Sequence, residues 1–436
     1  MQIKQLSLFL FLLCNLVDSN SFGQSLTLQE CVAKAIQNHP DVKGSTLDVD
    51  VTKTLIDQAK SRFLPDISVN VFQSGNFGRS IDRFTNGYID RFYNASYAGL
   101  RLNMPLFTGN RNNHLLAASK ASMASSEAAY EVVKNTLTLD VLRAYINALA
   151  LQEAIKNVDQ QLKNDRIQYD RILMRKEAGM IVRTEEIQLL NQMKSDEILK
   201  IDAQLNYEIG LAELSLLMNV DLPNTTQLTA LEPDNSFSFD KNVTLNQDLP
   251  QFSFAKWGIE SIKNNIKATK ALALPSINLS SGYETFYASS NSERSFVQQI
   301  NDTRNGAVSL SVNIPIFSKF QIKPQVDELK VREQIAENNL DRTKIVLNQE
   351  LKLAKTRYSN LKERYVQSNA LLALSRENMT FIQDQVNAGT ATTIEFLLAQ
   401  TNMERALNSL TNAKYQLILQ EKILQFYKLG KFELVN

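Results

Sequence analysis

Asn103-Met104-Pro105-Leu106-Phe107 decides the architecture, because the chain writes it twice. Asn313-Ile314-Pro315-Ile316-Phe317 follows 210 residues later. The same offset relates Pro40 to Pro250, Pro65 to Pro275 and Gly179 to Gly389. Leu64-Pro65-Asp66-Ile67 returns as Leu274-Pro275-Ser276-Ile277, and Ala178-Gly179 as Ala388-Gly389. Proline is excluded from helix interiors and glycine permits turns, so these residues mark where elements end. Four marks in register describe one structural unit present in two copies. A period of about 200 residues is far beyond a solenoid repeat, so each copy holds several elements.

Between the marks the periodicity changes. Ile67, Val69 and Val71 alternate with Asp66, Ser68 and Asn70, which predicts a strand with one apolar and one polar face. A polar loop beginning near Gly75 leads to a second strand. It carries Ala98, Leu100, Leu102 and Met104 on one face and Tyr97, Gly99, Arg101 and Asn103 on the other. The second copy repeats this through Ile277, Leu279 and Tyr283, then through Val308, Leu310, Val312 and Ile314. Strands of about 10 residues suit a tilted bilayer crossing. Pro65, Pro105, Pro275 and Pro315 are the expected strand boundaries. Phe63, Phe72, Tyr93, Phe107, Tyr283, Phe286 and Phe317 are expected near strand ends, as in an interfacial aromatic girdle.

Leu137, Val141, Ala144, Ala148, Leu151, Ile155, Val158 and Leu162 follow 4-3-4-3 spacing. So do Leu347, Leu351, Ala354, Tyr358, Leu361 and Tyr365. A sustained repeat of 3.5 residues is a coiled-coil seam. The run from Asn110 to Glu177 has no proline or glycine. At 1.5 Å per residue it makes a rod of roughly 100 Å. Helical patterning resumes after Gly179 and Gly389, so each copy ends in a long antiparallel hairpin. Its tips are Ala178, Gly179 and Met180 in one copy and Ala388, Gly389 and Thr390 in the other.

The first residues read as a secretory signal. Lys4 precedes an apolar run from Leu6 to Val17, and Ser21-Phe22-Gly23 places cleavage before Gln24. Cys14 does not make a lipoprotein site, because it lies inside the apolar run behind Leu13. Expected divisions are residues 1–23 (signal), 24–220 (first copy), 221–245 (linker), 246–430 (second copy) and 431–436 (tail). The mature chain keeps one cysteine, Cys31, which excludes an internal disulfide. Charge is balanced, 47 Lys+Arg against 46 Asp+Glu, with no basic block, which argues against nucleic acid. His39 and His114 are far apart, and no Cys/His cluster implies a metal or other cofactor. Catalysis has no constellation to rest on, and no apolar run beyond the signal is long enough for a membrane helix.

An exported chain without such a helix spans a membrane only as a closed barrel. Four strands cannot close one, so the chain is expected to supply them to an oligomer. Two copies give 8 strands and a filled interior; three give 12 and room for an aqueous lumen. The alternatives are a soluble periplasmic coiled-coil scaffold and a periplasmic enzyme.

The chain resembles the TolC-like outer-membrane efflux proteins over essentially its whole mature length. The likeness lies in Leu26-Thr27-Leu28-Gln29-Glu30 with Asn38-His39-Pro40, the Leu-Pro strand starts, the exit Pro105-Leu106-Phe107-Thr108-Gly109, and the turns at Gly179 and Gly389. The resemblance implies an α+β membrane protein: a homotrimeric 12-stranded β-barrel in the outer membrane, with four strands per protomer. A helical tunnel continues it into the periplasm, where an adaptor and an inner-membrane pump dock. It implies a passive exit duct for efflux or type I secretion. It also implies a periplasmic gate near acidic residues six positions past each hairpin glycine, here Glu185 and Glu395, with Arg183 available to pair across helices. Rings of carboxylates favour cations. Some relatives carry a further acid where this chain has Leu398. From spacing alone, Glu185 and Glu395 are equally solvated residues at helix N-termini.

Overall fold

The structure is a computed structural model and describes residues 25–177, 183–234, 237 and 244–432. The signal segment with Cys14, the tip Ala178-Gly179-Met180, most of the later linker and the last tail residues lie outside the described residues.

The elements run in the duplicated order. The first copy holds α1 (Leu28–Asn38), α2 (Pro40–Ser61), β1 (Asp66–Asn76), β2 (Arg79–Ile81), β3 (Tyr88–Asp90), β4 (Tyr93–Phe107), α3 (Arg111–Glu177) and α4 (Arg183–Met218). The second holds α5 (Pro250–Lys270), β5 (Ser276–Ala288), α6 (Phe296–Asp302), β6 (Asn305–Asn313), α7 (Ile322–Asn387) and α8 (Thr393–Leu429). The expected long helices are continuous, 67 residues in α3 and 66 in α7. No described helix is apolar enough to cross a membrane.

Contacts divide the chain into two compact units. One contains residues 47–129 and 251–343. Its sheet has the order β1-β4-β5-β6, all antiparallel. Pairing aligns the two alternations. Ile67, Leu102, Ser281 and Val308 form one row, and Met104, Leu279 and Leu310 another. The opposite face has rows Asn70–Gly99–Glu284–Asn305 and Asp66–Asn103–Ser280–Ser309. Ser280 and Ser309 hydroxyls lie 2.8 Å apart, and Tyr97 donates to the Glu284 carboxylate. Beside the sheet, the Asn112 amide donates to the Arg62 carbonyl, Ser125 to that of Phe254 and Ser261 to that of Ala118. These bonds tie α2, α3 and α5 together.

Pro65 and Pro275 immediately precede β1 and β5. Pro105 lies two residues inside β4, where pairing with β5 slips between Pro105 and Phe107. Proline has no N–H for the ladder, so a bulge absorbs it. Pro315 lies two residues beyond β6. Tyr283 departs from the girdle expectation: it is mid-strand on the apolar face, opposite Leu100. Phe286 is on the polar face, opposite Tyr97. The loops after β1 and β5 also hold the small β2–β3 ladder and α6.

The repeat survives in backbone angles where side chains diverge. Gly109 and Asn110 have φ of 61° and 66°; Lys319 and Phe320, 210 residues on, have 51° and 55°. Left-handed geometry costs an ordinary residue roughly 1–2 kcal/mol. Glycine loses part of that gain through a freer unfolded chain. Lys319→Gly should therefore stabilise the protein by up to about 1 kcal/mol. A melting temperature that fails to rise would contradict this.

The other unit contains residues 130–250 and 344 onward, together with the chain up to Thr46. Its core joins Leu28, Cys31 and Val32 of α1, Val141, Leu142, Tyr145 and Leu149 of α3, Leu211, Leu214 and Met218 of α4, and Tyr415 and Ile418 of α8. The seam residues Leu137, Val141, Ala144, Ala148, Leu347, Leu351, Ala354 and Tyr358 are buried, whereas Leu151, Ile155, Val158, Leu162, Leu361 and Tyr365 are half-buried. The Thr27–Glu30 pair forms a capping box at the start of α1. The linker is ordered around Leu228, which bridges to Leu26. Gln152 acts as its strand partner: its amide donates to the Leu228 carbonyl at 3.1 Å, and its oxygen accepts the Leu228 N–H at 2.8 Å. The Tyr145 hydroxyl lies 2.9 and 2.8 Å from the carbonyls of Leu26 and Thr229.

Candidate functional site

The sheet presents a surface that water does not favour. Val69 and Val71 are 69% and 76% exposed, and Val308 is 76% exposed, on one continuous face. Leu310, Val312 and Ile67 extend it. Among the described residues β1 and β6 each pair on one side only, so both edges carry backbone groups without a strand partner there. Such edges invite pairing with another chain. Past β6, Ile316 is 96% exposed, and the rings of Phe317 and Phe320 meet edge-on at 5.2 Å.

The second candidate region is where the helical hairpins turn. Gly389 has φ of 76°, and Thr390 and Ala391 donate backbone N–H bonds to the Gln385 carbonyl. The left-handed residue lets the last carbonyls of α7 find donors as the chain reverses. Thr392 then caps α8. Its hydroxyl accepts the Glu395 N–H, while the Glu395 carboxylate accepts from the Thr392 N–H at 2.7 Å and the hydroxyl at 3.0 Å. Those bonds hold the Glu395 carboxyl below the usual carboxylate range.

Glu185, on the first turn of α4, accepts a hydrogen bond from the Thr393 hydroxyl at 2.9 Å. The two expected gate regions are therefore in direct contact within one protomer. Arg183 is exposed and makes no ion pair among the described residues. Across the hairpin, the Lys176 ammonium lies 2.7 Å from the Glu186 carboxylate. Above this contact is a cavity of about 220 Å³ lined by Arg171, Arg175, Leu189, Val386, Thr393 and Phe396.

Sequence reading missed a buried acidic group further along the hairpins. Asp165 of α3 and Asp196 of α4 are both buried, at 0% and 1% exposure. Asp165 Oδ1 accepts from Gln400 of α8 at 2.6 Å and from Gln161 at 3.2 Å. Gln192 donates to both oxygens of Asp196 at 3.1 Å. Glu404, one turn past Gln400, is part of the group. The signal was present: three residues beyond Leu162, the heptad seam lands on Asp165.

Sequence comparison decides the family. The model of the outer membrane efflux protein family matches residues 31–220 and 244–427. The chain belongs to the outer membrane efflux protein family. The outer membrane protein TolC of Escherichia coli is 21% identical over 420 residues, covering 92% of this chain and 82% of TolC. Among solved structures, CusC superposes with a TM-score of 0.79 at 17% identity, over 94% of this chain and 95% of CusC. VceC from Vibrio cholerae gives 0.75 at 15% identity, over 93% and 96%. The fold is that of these outer-membrane channels, with a β domain and a helical portion that extends into the periplasm. The family model matches in two stretches, separated by residues 221–243.

Proposed function

We propose that three copies of this outer-membrane efflux protein join β1 of one to β6 of the next, closing a 12-stranded barrel. The barrel continues through the helical hairpins as a passive exit duct for efflux or type I secretion. The observation that carries this reading is the four-stranded sheet with an exposed apolar face and two unpaired edges. In lipid each unpaired backbone group costs several kcal/mol, and only closure removes the edges. Twelve strands leave a lumen, towards which the face with Arg101, Asn103 and Glu284 would turn. A soluble scaffold would leave the apolar face to water. The mature chain then divides as 24–220, 221–245, 246–430 and 431–436.

A periplasmic adaptor and an inner-membrane pump complete the path. The adaptor would meet the hairpin ends, at Ala178, Gly179 and Met180 and at Ala388, Gly389 and Thr390. Purified protein in planar bilayers should give stepwise conductance. A protein that inserts but never conducts would overturn the duct.

Glu185 and Glu395, with Arg183 nearby, form the periplasmic gate in this reading. Glu395 also caps α8, so charge and cap must be separated. Glu395→Gln retains an oxygen for Thr392 and removes the charge. It should lower the cation-to-anion permeability ratio several-fold, and Glu185→Gln should do the same. Unchanged ratios in both variants would remove these residues from the gate.

A further inference from the structure

The buried acidic group joins helices from both hairpins. Asp165 is on α3 and Asp196 on α4, in the first hairpin; Gln400 and Glu404 are on α8, in the second. The repeat does not preserve it: the positions related to Asp165 and Asp196 are Ser375 and Ala406. This contact therefore distinguishes one hairpin from the other.

Its hydrogen bonding is incomplete unless a proton is added. Asp165 Oδ2 is buried and has no hydrogen-bond partner among the described residues, and the Asp196 carboxyl is close enough to act on Asp165. Gln400 Oε1 and Glu404 Oε1 are buried without donors as well. Two carboxylates in contact repel, whereas a carboxylic acid donates to its neighbour. Asp196 from α4 and Glu404 from α8 act on Asp165 as like charges. Lys200 of α4 is engaged by Asp159 at 2.7 Å, and Gln383 of α7 accepts a hydrogen bond from Gln168, three residues past Asp165.

We propose that Asp165 is a proton-operated clamp, whose protonated carboxyl bonds Asp196 while Gln400 holds its other oxygen, fastening α8 to α3 and α4. Loss of the proton leaves adjacent buried anions and loosens the second hairpin from the first. Burial, with the Asp196 contact, raises the Asp165 carboxyl far above the ordinary carboxylate range, and burial with the charge of Asp196 pushes Glu404 up to about 7. Both rise, so the packed state holds protons that the separated state releases. The clamp is at full strength below the ordinary carboxylate range and weakens as pH climbs above it. One proton changes the equilibrium by at most about tenfold per pH unit.

The clamp rests on the exit-duct reading, and the test keeps the two apart. In planar bilayers the trimer's open probability should rise between about pH 6 and pH 9, by up to about tenfold per unit for each clamp that must release before the channel opens. Asp165→Asn copies the protonated shape and, in a Glu404→Gln background that removes the other raised carboxyl, should stay at the low-pH level throughout. Conductance that appears but keeps the same pH profile when Asp165→Asn is added to that background would overturn the clamp and leave the duct intact. Infrared difference spectra of the full-length protein supply a readout independent of conduction. In the Glu404→Gln background, a protonated-carboxyl band that titrates near neutrality and disappears when Asp165→Asn is added supports the clamp; a band unchanged by that addition overturns it.

Discussion

Val69→Arg should abolish stable accumulation in the outer membrane, whereas Asn70→Arg, one residue away, should leave it near normal. Val69 stands in the exposed apolar row of β1, opposite Leu100. Arginine facing lipid at the midplane of a barrel costs about 2–4 kcal/mol. Three copies would raise this to about 6–12 kcal/mol per barrel. That is comparable with the whole stability of a typical domain, about 5–15 kcal/mol. Asn70 is on the opposite face, in the row that reaches Glu284, so an arginine there gains a carboxylate partner instead of lipid. Membrane fractionation of both variants decides the matter. Equal loss of both would mean that the strand, and not its facing, is what the change disturbs.

Gly109→Val should destabilise the protein by about 2–5 kcal/mol, the sum of left-handed backbone strain and overpacking. Gly109 has φ of 61°, and a Cβ there would approach Leu274 Cβ to 2.7 Å and the Ala271 carbonyl oxygen to 3.0 Å. Neither neighbour is the free end of a flexible side chain. Gly109→Ala meets the same Cβ contacts with less bulk and should fall between wild type and valine. Thermal unfolding in detergent gives the order. A valine variant as stable as wild type would show that the chain between β4 and α3 adjusts freely.

Much of this was legible because the fold is written in residues with few local choices. Pro65 and Pro275 stop helices wherever they stand, and the alternation after them has one reading in each strand. The heptad seam predicted which faces of α3 and α7 are buried, since period 3.5 leaves one stripe to cover. Less of the site could be read. Glu395 was recognisable as an acid near a helix start, but its use as a cap depends on Thr392 being placed to receive it. Arg183 and Lys176 are both cations near the tip, and only the folded geometry gives the ion pair to Lys176. Asp165 looked like one more solvated helix charge because charges are common on these helices. Its burial depends on Asp196 and Gln400, which lie 31 and 235 residues away in sequence. The β2–β3 ladder is too short for a periodicity to form.

The central claim is that the open four-stranded sheet closes by joining other copies of itself in a membrane. The mass of the protein extracted from outer membranes in detergent, without heating, tests it directly. Three mature chains per particle is the result expected, with dissociation to single chains on boiling. Recovery as single chains from the soluble periplasm would contradict the account.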